Sequence, residues 1–131
     1  MKHVALILDV PNKNNRIYRT EVIEKAIPAA KELIKEERLV ITAEQPPDWI
    51  VPINDIVAEV KDIFIDSIRL VIDFEFVENP LANAVQEELN RGAIAVRPSG
   101  SGTVFWDYEK EVYIVNDDYE VTCFNFTYNP S

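Results

Sequence analysis

The stretch "RLVIDFEF", Arg69 to Phe76, decides the fold. Leu70, Ile72, Phe74 and Phe76 alternate with Val71, Asp73 and Glu75, and a period of two sets the four large side chains on one face of a strand, against a core. Upstream, Ile53 to Val60 and Ile63 to Phe76 are rich in β-branched and aromatic residues and read as strand with interruptions. Downstream, Asn79 and Pro80 open a helix over Leu81 to Asn90, with Leu81, Ala84, Val85 and Leu89 on one side and Gly92 just past its end. Short strands are expected at Ala93 to Val96, Thr103 to Tyr108, Val112 to Val115 and Val121 to Phe126, joined by turns at "PSGSG" and "NDD". Nearer the start, Val4 to Leu8 reads as a buried strand and "DVPNKNN", Asp9 to Asn15, as an exposed loop. From Thr20 the spacing becomes helical, with Val22, Ile23, Ala26, Ile27, Ala30, Leu33 and Ile34 on one face. Thr20 is expected to cap this helix and Pro28 to kink it or delay its start. A strand-like run, Leu39 to Ile41, follows. The balance is an α+β protein: one domain over residues 1–131, a mainly antiparallel sheet or barrel with two helices.

Composition sets the limits. The chain has 131 residues, 47% of them hydrophobic, enough for one domain with a real core and short for two. Thirteen basic residues against 23 acidic ones give a net charge of −10, which disfavours nucleic-acid backbones and anionic membranes as partners. One cysteine, Cys123, excludes an internal disulfide, and one cysteine with one histidine cannot make a zinc site of the usual nitrogen and sulfur kind. No metal or other cofactor is expected. No apolar run approaches the roughly 20 residues that cross a bilayer. "KHVALILD" is short for a signal peptide, so a soluble, unprocessed, intracellular chain is expected.

Few residues offer chemistry. The one histidine, His3, precedes the first apolar run, where a solvated or strand-edge role is commoner than a catalytic one. The adjacent acids Glu36 and Glu37, Glu87 and Glu88, and Asp117 and Asp118 read as solvated surface. The loop Pro98 to Gly102 lacks the lysine and spacing of a nucleotide-binding loop. Trp49 and Trp106 read as core or interface anchors.

The order of "NKNNRIY", Asn12 to Tyr18, and "TEVIEKAI", Thr20 to Ile27, resembles the opening of the tailed-phage prohead (capsid maturation) serine proteases, with their Asn-x-Asn-Gly-Arg-x-Tyr loop and following helix. Asn15 stands where that family has glycine, and asparagine tolerates a left-handed backbone better than most residues. "AEQPP", Ala43 to Pro47, is similar to the family's Gly-Glu-Leu-x-His-Pro region with a shorter spacing after the glutamate. "IAVRPSG", Ile94 to Gly100, resembles Ile-Ser-x-Arg-Gly-x-Gly, and "FNFTYNPS", Phe124 to Ser131, is similar to the family's close.

The resemblance implies a prohead and herpesvirus-type protease-like fold, and it puts Gln45 at the base position and Ala95 at the nucleophile position. An amide cannot take a proton from a hydroxyl, and a methyl group cannot attack a carbonyl. The sequence is therefore read as a pseudo-protease, a structural or binding component of head assembly such as a core, capsid-associated or decoration protein. Its expected partners are phage capsid or scaffold proteins and further copies of itself, with no nucleic acid and no membrane. The expected place is the infected bacterial cytoplasm, the prohead or the virion. Asn12, Asn15, Arg16, Tyr18, Tyr108 and Tyr113 are the expected contact residues, against the plainer reading that Arg16 and Tyr18 pin the loop to its own domain. Two rivals stay open: an active protease using Ser99, the candidate nucleophile that remains, and an acidic host-takeover protein that mimics nucleic acid.

Overall fold

A computed structural model describes residues 1–43 and 55–127 of the chain. Its elements are β1 (Lys2–Ile7), β2 (Arg16–Ile17), α1 (Thr20–Lys35), β3 (Val40–Thr42), β4 (Ile56–Asp66), β5 (Arg69–Phe76), α2 (Pro80–Asn90), β6 (Ala95–Ser101), β7 (Val104–Asp107), β8 (Val112–Val115) and β9 (Glu120–Thr127). Six strands form the main sheet in the order β1-β5-β4-β3-β9-β6. Four of its five junctions are antiparallel, and β3 with β9 is the parallel one. The edge strands β1 and β6 approach one another without pairing, so the sheet curls into a half-barrel. A second, three-stranded sheet, β2-β8-β7, stands beside it.

Alternation along β5 works as its sequence dictates. Leu70, Ile72 and Phe74 are fully buried, and Phe76 packs against the same cluster. Rings stack around Phe74: Phe76 and Phe126 lie 5.6 and 5.7 Å from it, close enough for edge-on aromatic contact. The stretch 63–76 is not one strand. It breaks into β4 and β5 at a tight hairpin where Ser67 takes the left-handed conformation, φ 57°, and no glycine, proline or asparagine marks the turn.

Both helices lie against this sheet. Helix α1 buries Val22, Ile23, Ala26 and Ala30, and it runs unbroken through Pro28, whose ring faces solvent. Thr20 is not its cap. Arg19 occupies that position without a capping side-chain bond, and Asp9 from the preceding loop accepts the Thr20 N–H at 2.8 Å and the Thr20 hydroxyl at 2.6 Å. A carboxylate at a helix N-terminus also meets the positive end of the helix dipole. Helix α2 starts as its residues predict, with Asn79 Oδ1 accepting the Ala82 N–H at 2.7 Å and Pro80 in the first turn. It ends at Gly92, φ 75°. Its buried face is Ala82, Val85 and Leu89, while Leu81 and Ala84 point outward, one position away from the expected stripe. Among the described residues no helix is long and apolar enough to cross a membrane.

Candidate functional site

The asparagine-rich loop is built by its own side chains. Asn12 Oδ1 accepts the N–H groups of Asn14 at 2.9 Å and Arg16 at 3.1 Å, while the Asn12 N–H donates to the Arg16 carbonyl at 2.9 Å. This closes a compact turn. Asn15, at φ 58°, holds the left-handed backbone that the resemblance assigns to glycine, and its amide donates to the Glu111 carbonyl at 3.0 Å. The Asn15 carbonyl in turn accepts the Tyr113 N–H at 2.9 Å, and β2 continues as a parallel partner of β8. The loop is thereby docked on the β7–β8 hairpin.

Of the six expected contact residues, Tyr18 is not a surface residue. Its side chain is buried, with its ring edge-on to Tyr119 at a centroid distance of 5.4 Å, because its aromatic area fills the join between the loop and β9. Asn12 is half-buried, with its Oδ1 engaged inside the loop, and Asn15 is exposed. Arg16, Tyr108 and Tyr113 are exposed as well. Trp106 is on the surface rather than in the core, packed on Tyr113 at 5.0 Å.

A cleft of about 140 Å³ opens where the loop meets β6. Asn14, Arg16 and Tyr18 line it from one side, Arg97, Ser99 and Gly100 from the other, and Tyr119 forms the floor. The fold thus brings together two sequence motifs about 80 residues apart. Thr103 closes the rim, donating its N–H and its hydroxyl to Asp118, whose carboxyl these bonds hold below the usual carboxylate range. The Tyr119 hydroxyl is buried with no hydrogen-bond partner among the described residues, and burial pushes its pKa up, so it stays a neutral phenol. Sequence patterns gave no hint of Tyr119 here. Among the described residues lining the cleft there are two guanidiniums, an amide, two phenols and two aliphatic hydroxyls, and no imidazole, carboxylate or amine. Such a lining donates hydrogen bonds to carbonyl or anionic oxygens.

Ser99 does not lie in a turn. Strand β6 runs through "PSGS" to Ser101, because each residue finds a partner on β9; Pro98 lies opposite Phe124 and Ser99 opposite Cys123. The sheet-edge position tolerates the missing proline N–H. The Ser99 carbonyl accepts the Thr122 hydroxyl at 2.7 Å. Burial pushes the Cys123 thiol up, and the neighbouring Ser99 and Thr122 side chains act in the opposite direction. Ala95, the expected nucleophile position, opens β6 half-buried and opposite Thr127. Gln45, the expected base position, lies outside the described residues, as do Trp49 and residues 128–131. His3 sits on β1 opposite Ile72 with its ring 5.4 Å from Phe74, and burial, then the N-terminal ammonium, lowers its pKa. Among the described residues no three His, Cys, Asp or Glu side chains gather as a metal site.

A curled, mostly antiparallel half-barrel carrying two helices is the fold class of the prohead proteases. In solved structures this fold is found in the capsid assembly protease of bacteriophage T4, gp21, with a TM-score of 0.77 and 20% sequence identity over 94% of this chain and 76% of that one. Neither the family models nor the curated proteins compared with the sequence match it.

Proposed function

We propose that this protein acts in phage head assembly as a catalytically inactive, prohead-protease-like component, one that binds capsid or scaffold proteins rather than cutting them. Its place on this reading is the infected bacterial cytoplasm and the prohead or virion. The observation that carries the proposal is the lining of the cleft. The loop Asn12 to Tyr18 and the strand that carries the matching nucleophile position meet there, and among the described residues the lining holds hydrogen-bond donors and no imidazole, carboxylate or amine. Ala95, at the matching nucleophile position, supplies only a methyl group. A cleft whose described lining donates hydrogen bonds can hold a carbonyl or carboxylate, which suits it to binding.

The second reading, cleavage by Ser99, draws on the presence of that serine in the same cleft as Arg97. Incubating the purified protein with scaffold and capsid proteins of its own phage, followed by intact-mass spectrometry and sizing, separates the two. Co-elution of uncut proteins is the expected result. Cleavage, or labelling by a serine-directed phosphonate, that disappears in Ser99→Ala would overturn the inactive reading.

A further inference from the structure

The β7–β8 hairpin presents a surface that the cleft does not use. Strand β7 is the edge of the three-stranded sheet and, among the described residues, is paired only with β8. Exposed edges are normally blunted by charge, proline or a covering segment, because free N–H and C=O groups invite another strand. Among the described residues this edge has no proline and no covering segment, and its one charge, Asp107, closes the strand. Residues 100–106, "GSGTVFW", include no ionisable side chain, and Val104, Phe105 and Trp106 are all exposed, at 40, 43 and 37%. Tyr108, 85% exposed, and Tyr113, 43%, extend the apolar face around Trp106.

Backbone alternation fixes which groups are free. The Thr103 carbonyl accepts from Asn116 and the Asp107 carbonyl from Glu111, so both face β8. Alternation then turns the N–H and C=O of Val104 and Trp106 to the open edge.

From these observations we infer that β7 pairs antiparallel with β7 of a second copy, about a twofold axis at Phe105, joining two three-stranded sheets into one six-stranded sheet. An isologous antiparallel pair places a residue opposite its own mate. With Phe105 on the axis, Val104 faces Trp106 of the mate in a pair that exchanges both backbone hydrogen bonds, and the symmetric pair doubles them. Charge selects this register. Asp107 falls opposite Thr103 and Glu109 opposite Ser101, so two chains of net charge −10 meet with no acid against an acid. Centring on Trp106 would instead set Asp107 against Phe105. At about 200 Å² for each aromatic side chain, the exposed fractions of Phe105 and Trp106 on the paired strand leave roughly 160 Å² in water per copy and roughly 320 Å² per pair. With Val104 and the strand backbone this stays below the ~1,000 Å² of a tight specific interface, the size of a weak, reversible one.

The test is sedimentation velocity over a concentration series on the whole protein and on Phe105→Lys, with folding checked by far-UV circular dichroism. Wild type is expected to dimerise reversibly, and two lysines facing each other across the axis are expected to weaken the dimer by roughly tenfold or more. Phe105→Cys is the second arm. A pair on the axis that exchanges no backbone hydrogen bonds has Cα atoms about 4.5 Å apart, within disulfide range, so mild oxidation is expected to link two chains. Val104→Cys, a diagonal roughly 7–8 Å from its mate, is expected to stay unlinked. The buried native Cys123 offers no competing thiol. A monomer at every concentration, a dimer indifferent to Phe105→Lys, or cross-linking at Val104 rather than Phe105 would each overturn the inference. So would a monomer whose β7 is covered only by a different protein.

Discussion

Replacing Gly100 by alanine tests the close approach that shapes the floor of the cleft. Gly100 lies opposite Val121 at a register shift in the β6–β9 ladder. A Cβ there would come within 2.7 Å of two Tyr119 ring atoms and nearer still to the Glu120 carbonyl oxygen. The ring could turn aside only by leaving Tyr18, and the carbonyl belongs to the β9 backbone, so strand separation has to give. Overpacking of this kind costs about 1–3 kcal/mol, and a main-chain obstacle puts Gly100→Ala at the top of that range. With an unfolding entropy of about 2.1 cal/mol/K per residue, ~3 kcal/mol lowers the Tm of a 131-residue domain by roughly 11 °C. Gly92→Ala is the internal comparison. Gly92 has open space around its missing Cβ and differs only in its φ of 75°, so about 1 kcal/mol is expected there. Urea unfolding followed by circular dichroism, with thermal scans alongside, gives both values. A cost for Gly100→Ala no larger than that for Gly92→Ala would refute the packing of Tyr119 under β6.

Two further predictions concern the N-terminal segment. Asp9→Ala removes the acceptor of the Thr20 N–H and hydroxyl and is expected to cost about 1 kcal/mol by urea unfolding, with Asp9→Asn recovering most of it. Stability should also fall in two stages as pH is lowered. The folded pKa of His3 lies below its ordinary 6.5, so the unfolded chain takes up that proton first and stability declines as pH drops below about 6.5. Asp73, held down by its hydrogen bond from the N-terminal ammonium, and Asp118, held down by Thr103, contribute above their ordinary 3.8 and lose that contribution as pH falls through their lower folded values. In His3→Gln the upper stage should vanish from a pH series of urea midpoints while the lower one remains.

Where local chemistry was strong, the sequence could be read directly. The alternation in β5, the Asn79-Pro80 start of α2 and the left-handed Gly92 after it are each specified by residues within one turn or one strand. The misreadings share a cause, tertiary pairing that outweighs a local preference. Pro98, Ser99 and Gly100 are turn formers, yet β9 pairs with them and β6 continues. Ser67 makes a hairpin that no glycine, proline or asparagine announces. Asp9, 11 residues away, takes over the capping that Thr20 was expected to perform. The cleft itself, with Tyr119 beneath Arg16 and Arg97, depends on contacts about 80 to 100 residues apart that no periodicity encodes.

The placement of β9 has a consequence for biosynthesis. It lies between β3 and β6, and its pairing with β3 joins Ile41 to Phe124. The last of the described strands to be translated is thus an interior one. Until it emerges, β3 has an open edge where β9 will pair, and the hydrophobic surface that receives Phe124 and Phe126 stays open. A nascent chain cannot close this sheet progressively from its N-terminus. The ribosome must deliver residue 127 before the half-barrel locks, and until then the apolar surface awaiting β9 is exposed to other chains.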